Sequence, residues 1–259
     1  MTLHRRTFLM SGAAAIGVLG TSTMMPFRAR AGGHGDMYKT ANGQIEIIPK
    51  DHASFVMQTP AGTIYVDPVG GADLYDGEAD ADMIMVTHHH GDHYDEETLL
   101  GLIKDNTQVL VNPEVMGKLS EPLKAKATAI SNGERMMMGE VSVEAIPAYN
   151  LTEDRLKFHP KGRDNGLVLT IDGTRVYISG DTEDIPEMRA LENIDIAFVC
   201  MNLPYTMEVE KAADAVREFK PGVVYPYHYR DSDPEAFATL VGDASQVVQG
   251  AWYDAPTQS

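Results

Sequence analysis

Thr87-His88-His89-His90-Gly91-Asp92-His93 follows directly on the apolar segment Asp82-Met83-Ile84-Met85-Val86, placing four imidazoles and a carboxylate in six residues at the end of a buried strand. The segment beyond it, Asp95 to Ile103, opens with acids suited to a helix N-terminus and then turns apolar at helical spacing. Strand, ligand-rich turn and helix therefore succeed one another, and open α/β sheets bind ligands at the carboxyl ends of their strands. His88 and His90 are two apart, so in extended chain both project to one side, while Asp92 and His93 approach from the following turn. One turn can thus serve two ions. No cysteine lies nearby, and a nitrogen-and-oxygen donor set suits Zn(II), most simply, or Mn(II) or Fe(II), rather than a thiolate-selected structural zinc. A solvated His-rich loop is the bland alternative. Such tracts are seldom wedged between a buried strand and a helix.

The pattern His88-x-His90-x-Asp92-His93 resembles the signature of the metallo-β-lactamase-fold hydrolase superfamily. The resemblance continues through Tyr65-Val66-Asp67-Pro68, Ser179-Gly180-Asp181-Thr182 and Tyr225-Pro226-Tyr227-His228-Tyr229, so that it covers most of residues 45–230. His52-Ala53-Ser54-Phe55, Ala148-Tyr149-Asn150, Phe158-His159-Pro160 and Pro204-Tyr205-Thr206-Met207 are similar to the branch that includes ascorbate-6-phosphate lactonase-like proteins. The fold this implies is an αββα four-layer sandwich, and the chemistry is metal-dependent hydrolysis. The superfamily uses one site for many reactions, so the motifs do not name a substrate.

Met1 to Ala31 reads as an export signal. Arg5-Arg6-Thr7-Phe8-Leu9 resembles a twin-arginine motif, Ser11 to Gly20 is a short apolar region, and Ala29-Arg30-Ala31 fits a small-x-small cleavage site. The apolar run is too short for a spanning helix. Residues 32–259 then form one domain with a large core, in a periplasmic or otherwise exported protein. Loss of Arg5, Arg6, Arg28 and Arg30, with no acid, would take the formal charge from −17 to −21. That field repels polyanions and argues for a small-molecule substrate, against nucleic acid, and against a membrane partner once the signal is gone. Homo-oligomers remain compatible. The single cysteine, Cys200, excludes an intrachain disulfide and sits in the apolar run Ile194 to Met201 as a core thiol.

Periodicity predicts strands at 45–48, 54–57, 63–66, 82–86 and 108–111 in the first half. In the second half it predicts strands at 134–138, 141–146, 167–171, 175–179, 196–200 and 223–225, with helices at 96–103, 185–191, 208–219 and 234–241. Asp172-Gly173 is a strong hairpin turn. Sheets are expected to come first in each half, with helices after them, as two mixed sheets face to face with helices outside.

Asp181 follows an apolar strand, and the resemblance implies that it bridges two cations; a turn-forming or helix-capping Asp is the alternative. His228, at another strand end, would complete the second ion's shell. Relatives place a His after a strand as Ala-x-His, whereas here the place reads Ala148-Tyr149-Asn150. Either the first ion is held by His88, His90 and Asp181 alone, or His159, nine residues on, fills the gap. Asp67 is expected to orient a ligand imidazole. His52 is expected to begin a strand, as a structural or an active-site residue. Two divalent ions sharing a hydroxide would attack a carbonyl or phosphoryl centre. Asp92 would also relay a proton, with Asn150, Tyr149 or Tyr205 polarising the substrate and Lys161, Arg163 and Arg230 close by. The alternatives are a β-lactamase and a non-catalytic metal-binding or sensing protein.

Overall fold

The computed structural model describes residues 35–253; the expected signal at 1–31 lies outside the described residues. The first sheet opens as an antiparallel meander of β1 (Asp36–Lys39), β2 (Gln44–Asp51), β3 (Ser54–Thr59) and β4 (Gly62–Val66). It continues in parallel through β5 (Met83–Val86), β6 (Gln108–Val111) and β7 (Ala127–Ala129). The second sheet repeats this plan. β8 (Arg135–Met138), β9 (Val141–Ala148), β10 (Asp164–Ile171) and β11 (Thr174–Ile178) are antiparallel. β12 (Ile196–Cys200), β13 (Val223–Tyr227) and β14 (Gln246–Val247) then add in parallel.

Parallel neighbours cannot be joined by tight hairpins, so helices interleave with the later strands of each sheet rather than following them. In the first half these are α1 (Glu96–Leu102), α2 (Pro113–Lys118) and α3 (Glu121–Lys124). In the second they are α4 (Pro186–Arg189), α5 (Val209–Phe219) and α6 (Pro234–Val241). The helix expected at 185–191 is a single turn. The brief β1, β7, α2 and α3 were not anticipated, although Asn112-Pro113 carries a start signal: Asn112 Oδ1 accepts from Val115 N at 2.8 Å, and proline occupies the first helical position.

Alternation along single strands builds the layers. Met83 and Met85 of β5 join the core shared by the two sheets, while Ile84 and Val86 join the cluster under α1 and α2 with Leu99, Leu102 and Val115. Between the sheets Phe55 stacks on Phe198 at 4.2 Å, and Trp252 meets both edge-on. Each such fully buried ring contributes about 1.5–3 kcal/mol in removed apolar surface. On the outer face of the second sheet α5 buries Ala212, Val216 and Phe219, spaced at one helical stripe. Two mixed sheets flanked by helices are thus the αββα sandwich. The Asp172-Gly173 turn has both residues at positive φ, 46° and 82°, as a two-residue hairpin requires. Among the described residues, no helix is long and apolar enough to cross a membrane.

Candidate metal centre

Strand ends from both sheets meet at one corner. Asp67 follows β4, the signature turn follows β5, Asp181 follows β11 and His228 follows β13. Asp67 is fully buried and accepts from Thr87 N and Thr87 Oγ1, each at 2.7 Å. Its Oδ2 also lies 2.8 Å from His93 Nδ1. A carboxylate offers only acceptors, so His93 donates from Nδ1 and turns the lone pair of Nε2 inward. Thr87 Oγ1, having spent its proton on Asp67, accepts from His88 Nδ1 at 3.0 Å and directs His88 in the same way. His159 gives Nδ1–H to the buried Asp164 at 3.0 Å, and Arg163 grips both oxygens of that Asp at 2.8 Å. Three imidazoles thus have their outer nitrogens tied down.

Their inner nitrogens face Asp181, which is almost fully buried. Oδ2 lies 3.3 Å from His159 Nε2 and 3.8 Å from His88 Nε2. Oδ1 lies 3.3 Å from both His93 Nε2 and His228 Nε2. His228 Nε2 is also 3.3 Å from Asp92 Oδ2, and His90 Nδ1 is 3.1 Å from His88 Nε2. His88, His90, His159 and Asp181 form one group with the spacing of a metal site, and His93, Asp181 and His228 form another.

A metal fits this arrangement better than mutual hydrogen bonding does. His93 Nε2, His159 Nε2 and Asp181 Oδ1 are buried without a hydrogen-bond partner. Donors at 2.0–2.2 Å from a tetrahedral zinc lie about 3.3–3.6 Å from one another, close to the separations here and longer than good N–H···O bonds. The protonation forms suit two neutral imidazole donors and an ionised carboxylate. Burial holds His88 well below its ordinary value and His90 at about 4, so both are neutral donors. Burial opposes ionisation of Asp181, yet the facing His228, His93 and His159 carry it well below the usual carboxylate range. At His93 burial is likewise outweighed, by Asp181 and Asp67, and its value rises.

His52 was expected at the start of a strand. It occupies instead the turn between β2 and β3 at φ 46°, left-handed backbone that costs a non-glycine residue of order 1 kcal/mol or more. Its backbone is built into the corner: His52 N donates to Trp252 O, and His52 O accepts from His228 N, both at 3.0 Å. The ring lies 3.8 Å from that of His228, Nδ1 is 2.6 Å from Tyr253 Oη, and Nε2 is 3.3 Å from Asp92 Oδ2. Burial holds it at about 4. His52, Asp92 and His228 make a third cluster with metal-site spacing.

Asn150 sits beside this centre. Its Nδ2 donates to the carbonyls of Arg155 and Tyr205 at 3.0 and 2.7 Å, which staples the loop carrying His159 to the loop carrying Tyr205. Tyr205 is half exposed and packs edge-on against Phe158, ring centroids 5.0 Å apart. Both border a cleft of about 610 Å³ that reaches His90, Asp92 and Asp181. Lys161 is engaged by Tyr149 Oη and Glu187 at the surface. Sequence reasoning missed Asp164 and Glu183. Asp164 was legible only as a charge opening an apolar strand. Glu183, two residues past Asp181, is fully buried; its Oε2 accepts from Leu151 N, Thr152 N and Thr152 Oγ1 and its Oε1 faces Arg155 Nη1 at 3.3 Å. Cys200 is a buried core thiol pushed up to about 12 by burial.

A His/Asp cluster able to bind metal, set at the strand ends of an αββα sandwich, defines a metal-dependent hydrolase of the metallo-β-lactamase superfamily. The Beta-lactamase superfamily domain family matches residues 46–228, and the chain belongs to it. It is 30% identical over 213 residues to the UPF0173 metal-dependent hydrolase of Pyrococcus furiosus, covering 76% of this chain and 92% of that protein. A solved metal-dependent hydrolase from Parabacteroides distasonis is 40% identical, with a TM-score of 0.77 over 83% of this chain and 97% of that one. The metallo-β-lactamase-fold protein YhfI of Bacillus subtilis shares the fold at 16% identity, with a TM-score of 0.61 over 81% of this chain and 90% of that one.

Proposed function

We propose that this hydrolase is exported, holds two divalent cations, and cleaves an ester, lactone or phosphodiester bond in a small molecule. One observation carries the reading: the two carboxylate oxygens of Asp181 face separate imidazole sets, Oδ2 towards His88 and His159 and Oδ1 towards His93 and His228. His88, His90, His159 and Asp181 would hold one ion, and Asp92, His93, Asp181 and His228 the other. His159 completes the first set, because its Nε2 lies 3.3 Å from Asp181 Oδ2 and it groups with His88, His90 and Asp181 at metal-site spacing, whereas Asn150 offers only a weaker amide oxygen. Zn(II) suits the donors best, with Mn(II) and Fe(II) compatible. Such ions supply Lewis acidity, which polarises a substrate oxygen and brings the pKa of water down towards about 7.

The chain's own groups do the rest. Asp67 and Asp164 hold the tautomers of His93 and His159. Asp92, with Oδ2 3.3 Å from both His228 Nε2 and His52 Nε2, would hold the second ion and relay a proton in the cleft. Tyr205 presents its phenol to the substrate oxygen, positioned through its carbonyl by Asn150. The twin-arginine-like Arg5-Arg6 and the small-x-small site ending at Ala31 support export. Fractionation of cells carrying wild type or R5K/R6K tests that part: the double variant should stay in the cytoplasm at full length.

The chemical test pairs elemental analysis with turnover of 4-nitrophenyl esters, lactones and bis(4-nitrophenyl) phosphate. About two metals per chain, with activity lost on chelation and restored by Zn(II) or Mn(II), is the expected result. Full activity in metal-free protein would overturn it.

A further inference from the structure

Nearly every arginine around the centre is neutralised by an acid. Arg155 pairs with Glu183 and Glu208, Arg163 with Asp164, and Arg189 with Asp184, Asp214 and Glu218. Arg230 borders the cleft and is the cation on its wall, and its guanidinium has no carboxylate within 4 Å among the described residues. Arg230 is exposed to solvent, and it is the arginine on this cleft that no acid occupies among the described residues. Its backbone, moreover, is fixed. Arg230 stands at φ 39°, and its N–H donates at 2.8 Å to Tyr253 Oη, the same hydroxyl that meets His52 Nδ1. A left-handed non-glycine residue is retained only where its surroundings hold it there. The guanidinium is thereby presented two residues beyond His228, beside the centre, with its hydrogen-bond donors unspent.

We propose that Arg230 binds an oxyanion on the substrate, so that this enzyme acts on small molecules carrying a carboxylate or phosphate group near the bond it cleaves. The guanidinium fork matches either group with two parallel hydrogen bonds and keeps its charge at any working pH. The aromatic pair Phe158 and Tyr205, on the same cleft, supplies an apolar surface for the remainder of the molecule. The selectivity has a physical use. On a protein with a formal charge of −17, anions are repelled at long range, and a guanidinium beside the metal centre adds a directional local attraction against that field. The proposal rests on the hydrolase reading of the cleft.

The test uses the metal-loaded enzyme, wild type, R230Q and R230K, with three esters of matched length: 4-nitrophenyl butyrate, mono(4-nitrophenyl) glutarate and 4-nitrophenyl 4-phosphonobutyrate. Metal content, equal in all three proteins, is the control. The expected result is a fall in kcat/KM of about 10–100-fold in R230Q for the anionic esters, carried by KM, with butyrate unchanged and partial recovery in R230K. Preference for glutarate or phosphonobutyrate distinguishes the carboxylate from the phosphate source. Equal losses on all three esters, or none, would overturn the proposal. Glutarate and 4-phosphonobutyrate are also tested as ligands by thermal shift, which needs no turnover. Stabilisation of wild type that is absent in R230Q, with no ester cleaved, would keep the anion site and defeat the hydrolysis of these esters. Equal stabilisation of both proteins would defeat the anion site.

Discussion

The two sheets share one strand plan, four antiparallel strands followed by three parallel ones, yet matching positions have been given different work. Asp67 follows β4 and Asp181 follows β11, the corresponding strand of the other sheet. Both touch the same residue: Asp67 takes the Nδ1–H of His93, while Asp181 faces its Nε2. Asn112 after β6 and His228 after β13 are likewise equivalent, and Asn112 caps a helix while His228 faces the centre. The first half therefore concentrates its donors in one contiguous turn backed by buried hydrogen bonds. The second half spreads its own over three loops and holds the longest with ion pairs, among them Arg155 to Glu183 and Glu208. A shared topology fixes where a residue stands, and the partner it finds there fixes what it does.

Exchanging the two aspartates for alanine is the strongest way to break this comparison. D181A removes an oxygen from both ligand groups, so metal content should fall in both and turnover should drop by more than the ~10–100-fold that loss of a supporting partner costs; elemental analysis and steady-state rates measure it. D67A should leave the ligands in place but weaken binding by about 10–100-fold. It should also destabilise the protein by about 3–5 kcal/mol, because Thr87 and a buried His93 lose their carboxylate. Urea denaturation of metal-free protein reads that cost. If D67A lost metal as completely as D181A, the division of labour between the two halves would be wrong.

D164N sharpens the contrast within the second half. It releases only His159, so roughly tenfold weaker binding of one metal, with the other unaffected, is expected in a chelator competition. A smaller effect comes from the staple on that loop. Arg155 donates to Glu208 and brings its carboxyl to about 2, against 4.5 for the unperturbed group. With the folded value below the unfolded one, the stabilisation is complete above pH 4.5 and disappears as the pH falls towards 2. The stability difference between wild type and E208Q should accordingly shrink between pH 6 and pH 3. The smallest expected signal is that of Cys200, held at about 12 by burial. Native protein at pH 8 should leave a disulfide reagent unreacted, and one thiol should titrate on unfolding.

The sequence by itself determined the ligand turn, most of the strands and the hairpin at Asp172, because each of these is written in neighbouring residues whose periodicity or turn chemistry acts locally. β1, β7 and α3 combine four residues or fewer with no apolar run, which is why they went unseen, whereas the equally short β5 and β6 are carried by apolar runs. The assignment of partners was decided by tertiary structure alone. That His52 faces Asp92 and packs on His228, that Asp164 backs His159, and that Arg230 stands without an acid depend on closure of loops far apart in the chain. A side chain's tautomer and charge follow from whichever group folding brings within about 3 Å of it, and that contact has no counterpart in the order of the residues.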